Sequence, residues 1–210
     1  MTILALEFSS AQRSAALSRE GFVLSEAIEA GGRGVAALAM IDNVLAQAQM
    51  EREKIETIAV GLGPGSYTGV RAAIALAQGW QLAREINTVG VSSVEAMAAQ
   101  AQEEKIFGRV NVVVNAQREE FYLATYELSE TARTEIAPLK ILPMAEVQSR
   151  AQEGDILAGP EAAKFFPNGR TIFPSAAAIA RLAAAVKSLP AEKLEPIYLR
   201  ETTFVKARLK

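Results

Sequence analysis

The sequence predicts an α/β protein with two lobes, and three observations support this fold class. Each half of the 210-residue chain opens with short apolar runs of the kind that form strands in a hairpin or meander. In each half, helical patterns and a buried, parallel-type strand then follow. The halves meet near residues 105–108, so we expect one lobe in residues 1–104 and a second in residues 105–210. We expect a cleft between the lobes and a C-terminal tail that packs back on the first lobe.

The first half contains a three-stranded meander followed by alternating helices and strands. Its predicted strands are residues 3–8, 14–17, 22–28, 57–62 and 88–91, and its predicted helices are residues 35–50, 66–84 and 92–104. In the first helix, Leu38, Ile41 and Leu45 lie on one face. Ser92 and Glu95 have the spacing of a capping box, which indicates where the third helix begins.

The second half begins with a hairpin and ends in an alanine-rich helix. Its predicted strands are residues 110–115, 120–127 and 155–158, and its predicted helices are residues 143–152 and 174–189. Residues 116–119 form the hairpin turn, and residues 129–134 are expected to be a polar loop. Proline at position 174 suits the first turn of a helix.

The composition excludes several kinds of catalytic site. The chain has no cysteine and no histidine, which removes thiolate nucleophiles, zinc sites built on these residues and the usual general base of hydrolases. Aspartate occurs only at Asp42 and Asp155. We therefore predict no metal site and no complete catalytic set. The apolar start lacks a basic leader, and no apolar stretch free of turn signals reaches about 18 residues, so we expect a cytoplasmic protein without membrane contact.

The most unusual segment is residues 60–71, VGLGPGSYTGVR, which predicts a strand, a glycine-rich turn and a helix N-terminus. Such a corner exposes backbone N–H groups at the positive end of a helix dipole, so it can bind an anion. The alternative is a tight corner without a ligand, and the segment lacks the lysine of a Walker loop. The candidate nucleotide or anion loop consists of Gly63, Gly65, Ser66, Tyr67, Thr68 and Gly69.

The helix after this motif carries a ridge of small residues, Thr68, Ala72, Ala75 and Gly79. Their spacing of four, three and four residues places them along one side of a helix, where small side chains allow another helix to approach closely. The predicted partner surface combines this ridge with the first helix face, Leu38, Ile41 and Leu45. Alternatively, the ridge packs on the chain's own first helix or sheet.

Residues 61–71, with their Ser-Tyr-Thr-Gly core, resemble the hallmark of the TsaB (YeaZ) family of tRNA threonylcarbamoyladenosine biosynthesis proteins. Further similarity lies in residues 3–10, 89–96, 115–118 and 196–200, so the resemblance covers nearly the whole chain. It implies the two-lobed fold shared by actin, Hsp70 and sugar kinases (the ASKHA superfamily). In that fold each lobe is a mixed sheet with flanking helices on a βββαβα plan.

The sequence departs from the superfamily where catalysis would be expected. The resemblance places Glu7 where the opening strand usually carries aspartate, and Phe8 where a small residue is usual. We expect the bulk of Phe8 to intrude on a phosphate. The pair of metal-binding histidines found in catalytic relatives is missing. These differences argue against an independent ATPase or transferase.

The resemblance therefore implies a non-catalytic dimerisation subunit. Such a subunit pairs with a TsaD-like catalytic subunit and helps recruit a TsaE-like ATPase for synthesis of N6-threonylcarbamoyladenosine in tRNA, which it contacts only through the complex. Alone, it is expected to form a homodimer. No cofactor is expected, and a nucleotide at a subunit interface is the one candidate left open.

Two other functions compete with this interpretation. The first is an ASKHA-type small-molecule kinase or nucleotide hydrolase, for which Glu7, Asp42 and Asp155 are the candidate carboxylates. The second is a peptidase, which without histidine or cysteine would need a Ser–Lys pair built on Ser66. Arg71, in the first turn of the ridge helix, is expected to pair with Glu7, to pair with a carboxylate across an interface, or to stay on the surface.

Overall fold

The computed structural model describes residues 1–30 and 37–200 and contains two five-stranded sheets. In the first sheet the strand order is β3-β2-β1-β4-β5. Its strands are β1 (Thr2–Glu7), β2 (Gln12–Arg19), β3 (Phe22–Ala30), β4 (Thr57–Gly61) and β5 (Asn87–Val91). The first three pair antiparallel, while β4 pairs parallel with both β1 and β5.

The second sheet repeats this plan with the order β10-β9-β6-β7-β8. Its strands are β6 (Gly108–Gln117), β7 (Glu120–Leu128), β8 (Arg133–Pro143), β9 (Ile156–Gly159) and β10 (Arg170–Thr171). The first three again form an antiparallel meander, and β9 pairs parallel with β6 and β10. The predicted two-lobed α/β fold with mixed sheets is confirmed.

Six α-helices flank the sheets within the described residues. They are α1 (Ala37–Gln47), α2 (Tyr67–Ala83), α3 (Ser93–Glu103), α4 (Met144–Gln152), α5 (Ala162–Phe165) and α6 (Ala176–Ala183). Short 3-10 turns lie at Arg52–Lys54 and Ala191–Lys193. None of the described helices has the length and hydropathy needed to span a bilayer.

Several local predictions were wrong, all for want of information about distant partners. Strand β8 covers part of the expected polar loop and was not predicted, because it lies at a sheet edge with mostly exposed side chains. Helix α6 ends at Ala183 instead of residue 189. Ser92 is the N-cap residue of α3, but its side chain makes no capping hydrogen bond, so the capping box does not form.

One face of the first sheet packs against α1 and α2. Leu4, Leu6 and Phe8 from β1 form an apolar core there with Ile41 and Leu45 from α1. Both helix residues are buried, so their assignment to a partner surface was wrong, since an amphipathic helix turns its larger side chains toward the sheet it covers. Leu38 alone of that predicted face lies outside, 55 % exposed.

Helices α3 and α6 each pack on the sheet formed by the other half of the chain. Helix α3, from the first half, packs with Val94, Met97 and Ala101 against strands of the second sheet. Helix α6, from the second half, packs its alanines and Ile179 against the first sheet. The two helices also contact each other, so each predicted lobe contains one sheet but is completed by a helix of the other.

Candidate functional site

A cleft of about 660 Å³ lies between the two sheets. Its walls come from the β1–β2 turn, the start of α2, the β6–β7 hairpin and the end of β9. The side chains that bear on its chemistry are Ser9, Ser10, Arg13, Ser66, Tyr67, Tyr122, Glu161, Tyr198 and Arg200. This volume is in the range that binds small molecules, which makes the cleft the first candidate site.

Glu7, at the end of β1, turns its carboxylate into the protein and does not line the cleft. The side chain is fully buried. Oε1 accepts a hydrogen bond of 2.6 Å from the Ser9 amide, and Oε2 accepts one of 2.7 Å from the Ser93 hydroxyl. Gly61 on the neighbouring strand leaves the space this needs, because a Cβ there would overlap Glu7 Oε2. The carboxylate therefore joins β1, β4 and the start of α3.

Burial controls the ionisation of this carboxylate. Desolvation raises the pKa of Glu7 above its ordinary value, while the hydrogen bonds from Ser9 and Ser93 oppose that rise. A magnesium ligand needs a carboxylate that is ionised and accessible. The Glu7 carboxylate does not line the cleft, and its burial favours the neutral, protonated form.

Phe8 also differs from expectation. Its ring is buried in the core beneath α2 and does not intrude on the cleft. The physical reason is the alternation of a strand, which sends Leu4, Leu6 and Phe8 to the same face. The bulk of Phe8 is therefore no obstacle to a phosphate.

The glycines of the candidate anion loop serve close packing within the chain. A Cβ on Gly65 would overlap the carbonyl oxygen of Ser9, and one on Gly69 would overlap that of Phe8. The corner after β4 thus lies directly against the end of β1, at a distance that only glycine permits.

Three N–H groups of this loop donate hydrogen bonds within the protein itself. Ser66 donates its amide to the Ser9 carbonyl at 2.6 Å, and Gly63 donates to the Ser93 hydroxyl at 3.1 Å. The Ser66 hydroxyl caps α2 by accepting from the Gly69 amide at 3.2 Å. A phosphate cradle needs several such donors aimed at one point. These three bonds hold the corner together, and binding of an anion or nucleotide by the loop stays a prediction.

Other predicted carboxylates do not gather in the cleft. Asp42 forms an ion pair with Arg52 on the surface of the first lobe, and Asp155 accepts a hydrogen bond of 2.9 Å from the Asn111 side chain. Neither lines the cleft. Among the described residues, no group of three or more acidic, histidine or cysteine side chains is placed to hold a metal ion.

Glu161 is the one carboxylate in the cleft wall that sequence reasoning missed. Burial raises its pKa, and its Oε2 atom is buried without a hydrogen-bond partner among the described residues. It follows β9 directly, in the segment after Gly159-Pro160. A single carboxylate without a neighbouring base or metal ligand does not form a phosphoryl-transfer site.

The ridge of small residues on α2 faces outward. Thr68, Ala75 and Gly79 are exposed and Ala72 is half-buried. No atom lies within 4 Å of a Cβ built on Gly79. The side of α2 that packs on the sheet consists of Val70, Ala73, Ile74 and Ala77. Ala72 thus packs at the edge of the chain's own core, while Thr68, Ala75 and Gly79 are exposed, and the apolar Leu82 beside them is 90 % exposed.

Three side chains cluster where this ridge begins. The ring of Tyr67 stacks on that of Tyr198 with centroids 5.6 Å apart, and the Arg71 guanidinium lies 3.8 Å from the Tyr67 ring centroid. Arg71 also donates to the Tyr67 hydroxyl. Of the three alternatives predicted for Arg71, pairing with Glu7 is wrong, because Glu7 is buried with Ser9 and Ser93, whereas Arg71 is exposed. Sequence reasoning missed the role of Tyr198, because it lies 131 residues from Tyr67.

Two repeated α/β sheets that enclose a cleft place the protein in the class of two-lobed, ASKHA-type proteins. The chain belongs to the family described as TsaD, tRNA N6-adenosine threonylcarbamoyltransferase, whose family model matches residues 33–198.

Individual relatives carry the TsaB or YeaZ name, which confirms the predicted resemblance. The chain is 28% identical over 181 residues to the tRNA threonylcarbamoyladenosine biosynthesis protein TsaB of Escherichia coli (strain K12), covering 78% of each chain. It is 29% identical over 157 residues to TsaB of Bacillus subtilis (strain 168), covering 74% of this chain and 68% of the relative. The solved structure of YeaZ from Pseudomonas aeruginosa superposes with a TM-score of 0.79 at 27% identity, covering 94% of this chain and 99% of that one.

Proposed function

We propose that this protein is a non-catalytic subunit of the machinery for N6-threonylcarbamoyladenosine synthesis in tRNA. It pairs with a TsaD-like catalytic subunit and helps recruit a TsaE-like ATPase, and it contacts tRNA only through that complex. The names of the TsaB relatives support the pathway. A cytoplasmic location stays a prediction.

The observation that carries the proposal is the outward ridge on α2. Small side chains at Thr68, Ala72, Ala75 and Gly79 allow a partner helix to approach closely, and Leu82 on the same helix adds exposed apolar area. Exposed apolar residues that lie together on a folded protein mark interaction sites. The partner surface is therefore this ridge with Leu38, without Ile41 and Leu45.

The cleft supports the non-catalytic part of the proposal. Its superfamily carboxylate, Glu7, is held by Ser9 and Ser93, and the glycine-rich corner is held against β1. The competing kinase or nucleotide hydrolase would need magnesium-binding carboxylates in the cleft, where Glu161 is the single carboxylate among the described residues. We therefore expect the isolated chain to hydrolyse ATP at the background rate.

The test is a lysine placed in the ridge. Ala75→Lys should abolish capture of the cognate catalytic subunit in a pull-down, because the long side chain separates the two helices and its charge would be buried without a partner. The melting curve by circular dichroism should stay unchanged, since Ala75 is exposed and a lysine there can extend into solvent.

The matched control is Ala184→Lys, which adds the same side chain at an exposed alanine just after α6. This variant should capture the catalytic subunit normally. Normal capture by Ala75→Lys would reject α2 as the partner surface, and magnesium-dependent ATP turnover that disappears in Glu7→Gln would reject the non-catalytic assignment.

A further inference from the structure

Residues 189–200, which we call the C-terminal strap, run from the end of the α6 region along the first lobe. Leu189 forms a bridge with Thr88 on the edge strand β5: its amide donates to the Thr88 carbonyl at 2.9 Å, and the Thr88 hydroxyl donates back to the Leu189 carbonyl. These contacts attach the beginning of the strap to the open edge of the first sheet.

The middle of the strap is held by the inner side of α2. Gln81 accepts a hydrogen bond of 2.7 Å from the Ala191 amide, and Gln78 donates one of 3.2 Å to the Ala191 carbonyl. Ala191 and Leu194 are buried in the core of the first lobe. The strap is therefore an integral part of this lobe up to Leu194.

The end of the strap crosses to the other lobe. Ile197 donates its amide to the Leu62 carbonyl at 2.9 Å, and Tyr198 stacks on Tyr67 at the start of α2. Two residues later, Arg200 forms an ion pair with Glu120 on β7 of the second sheet. Both Tyr198 and Arg200 line the cleft between the lobes.

The lobes are thus connected at two places. One is the contact of α3 with α6, where Arg181 pairs with Glu103 at 2.7 Å. The other is the strap, at the cleft itself. Two lobes joined by packed helices on one side can open like a hinge, unless a second contact restrains the other side.

We propose that the C-terminal strap is a latch that holds the interlobe cleft closed. The Tyr198–Tyr67 stack fixes it to the first lobe, and the Arg200–Glu120 pair fixes it to the second. Partly exposed ion pairs contribute little to stability, so this second attachment is weak and reversible. Loss of either attachment opens the cleft without unfolding the protein.

The absence of cysteine from the sequence allows a direct measurement on the isolated full-length protein. Spin labels at Ala11→Cys and Arg118→Cys sit on the two turns that flank the cleft, β1–β2 and β6–β7. The labelled protein is diluted with unlabelled chains, so that labels on two copies of a homodimer do not contribute distances. Pulsed electron paramagnetic resonance then gives the distribution of distances across the cleft. With the strap intact, we expect one narrow distribution.

Two variants remove one attachment each, and two serve as controls. Arg200→Ala and Tyr198→Ala should each lengthen and broaden the distribution, whereas Tyr198→Phe keeps the stacked ring and should not. Leu199→Ala changes an exposed residue of the same segment and should also leave the distribution unchanged. Exchanging the charges, with Arg200→Glu and Glu120→Arg together, should restore the narrow distribution.

An unchanged distribution in either Arg200→Ala or Tyr198→Ala would overturn the two-point latch. If Tyr198→Ala prevents folding, Arg200→Ala and its charge-exchanged rescue decide the question alone. Because no partner subunit takes part, this result is independent of the proposed function. If the experiment overturns the latch, the proposed pairing through α2 still stands. If the pull-down overturns the pairing, the proposed latch still stands.

Discussion

At the scale of single residues, Glu7 shows how a fully buried carboxylate is held by groups of its own chain. Its two oxygens accept hydrogen bonds from Ser9, two residues away, and from Ser93, 86 residues away. Gly61 makes room for the carboxylate beside β1. A buried carboxylate without a cation is costly unless it is hydrogen-bonded or protonated, and Glu7 combines two strong hydrogen bonds with a raised pKa.

This environment predicts a pH dependence of stability. Because the folded-state pKa of Glu7 lies above 4.5, the folded protein holds this proton more tightly than the unfolded chain. The contribution of Glu7 to the free energy of unfolding is therefore full below that value and is lost as the pH rises toward the folded-state pKa. In Glu7→Gln, which cannot ionise, this loss should disappear.

Denaturant unfolding between about pH 4 and about pH 8 measures the effect. Burial also raises the pKa of Glu26 and Glu161, so both proteins should lose stability over this range, but the wild type should lose more. The difference between the two proteins isolates Glu7. Parallel pH profiles would show that Glu7 has the same proton affinity in the folded and unfolded states.

At the scale of elements, α2 divides into two sides with different tasks. Val70, Ala73, Ile74 and Ala77 attach the helix to the first sheet, and Gln78 and Gln81 hold the C-terminal strap. The remaining side presents the exposed small residues of the ridge, together with the exposed Arg71 and Leu82. A helix in the core of a lobe thus leaves one side available for a second protein.

This exposed side predicts self-association when no catalytic subunit is present. Apolar surface is unfavourable in water, so two copies should pair through α2 and form a homodimer. Light scattering across a wide concentration range should give a dimer mass for the wild type and for Ala184→Lys, but a monomer mass for Ala75→Lys. A wild-type mass that stays monomeric at the highest concentration would contradict the prediction.

At the scale of the whole molecule, the exchange of α3 and α6 makes the two lobes depend on each other. The alanines of α6 cover Ile3, Ala5 and Ala16 of the first sheet. Val94 and Met97 of α3 cover the second sheet. Without its borrowed helix, each sheet would expose one apolar face to water.

Separate halves should therefore be unable to fold. We expect fragments 1–104 and 105–210, produced individually, to show no cooperative melting transition by circular dichroism. Mixing them should restore one, because each supplies the helix that the other lacks. A cooperative transition from either fragment alone would show that the lobes fold independently.

The sequence by itself determined most strands and helices and the presence of two α/β halves. Periodicity predicted β1, β3, β4 and α2 closely, because each carries an apolar face that its own residues define. The glycine-rich motif after β4 also predicted a corner followed by a helix. Such features depend on neighbours within a few positions, so the local pattern is sufficient.

Only the tertiary structure decided which of these features meet. Two of these features are contacts between residues distant in sequence: Glu7 with Ser93, and Tyr198 with Tyr67. Two others, the burial of Ile41 and the exposure of the α2 ridge, depend on which distant elements pack against each helix. The edge strand β8 likewise forms because β7 supplies its hydrogen bonds, not because its own residues favour a strand. Burial and long-range hydrogen bonds are properties of the packed chain, and no local pattern contains them.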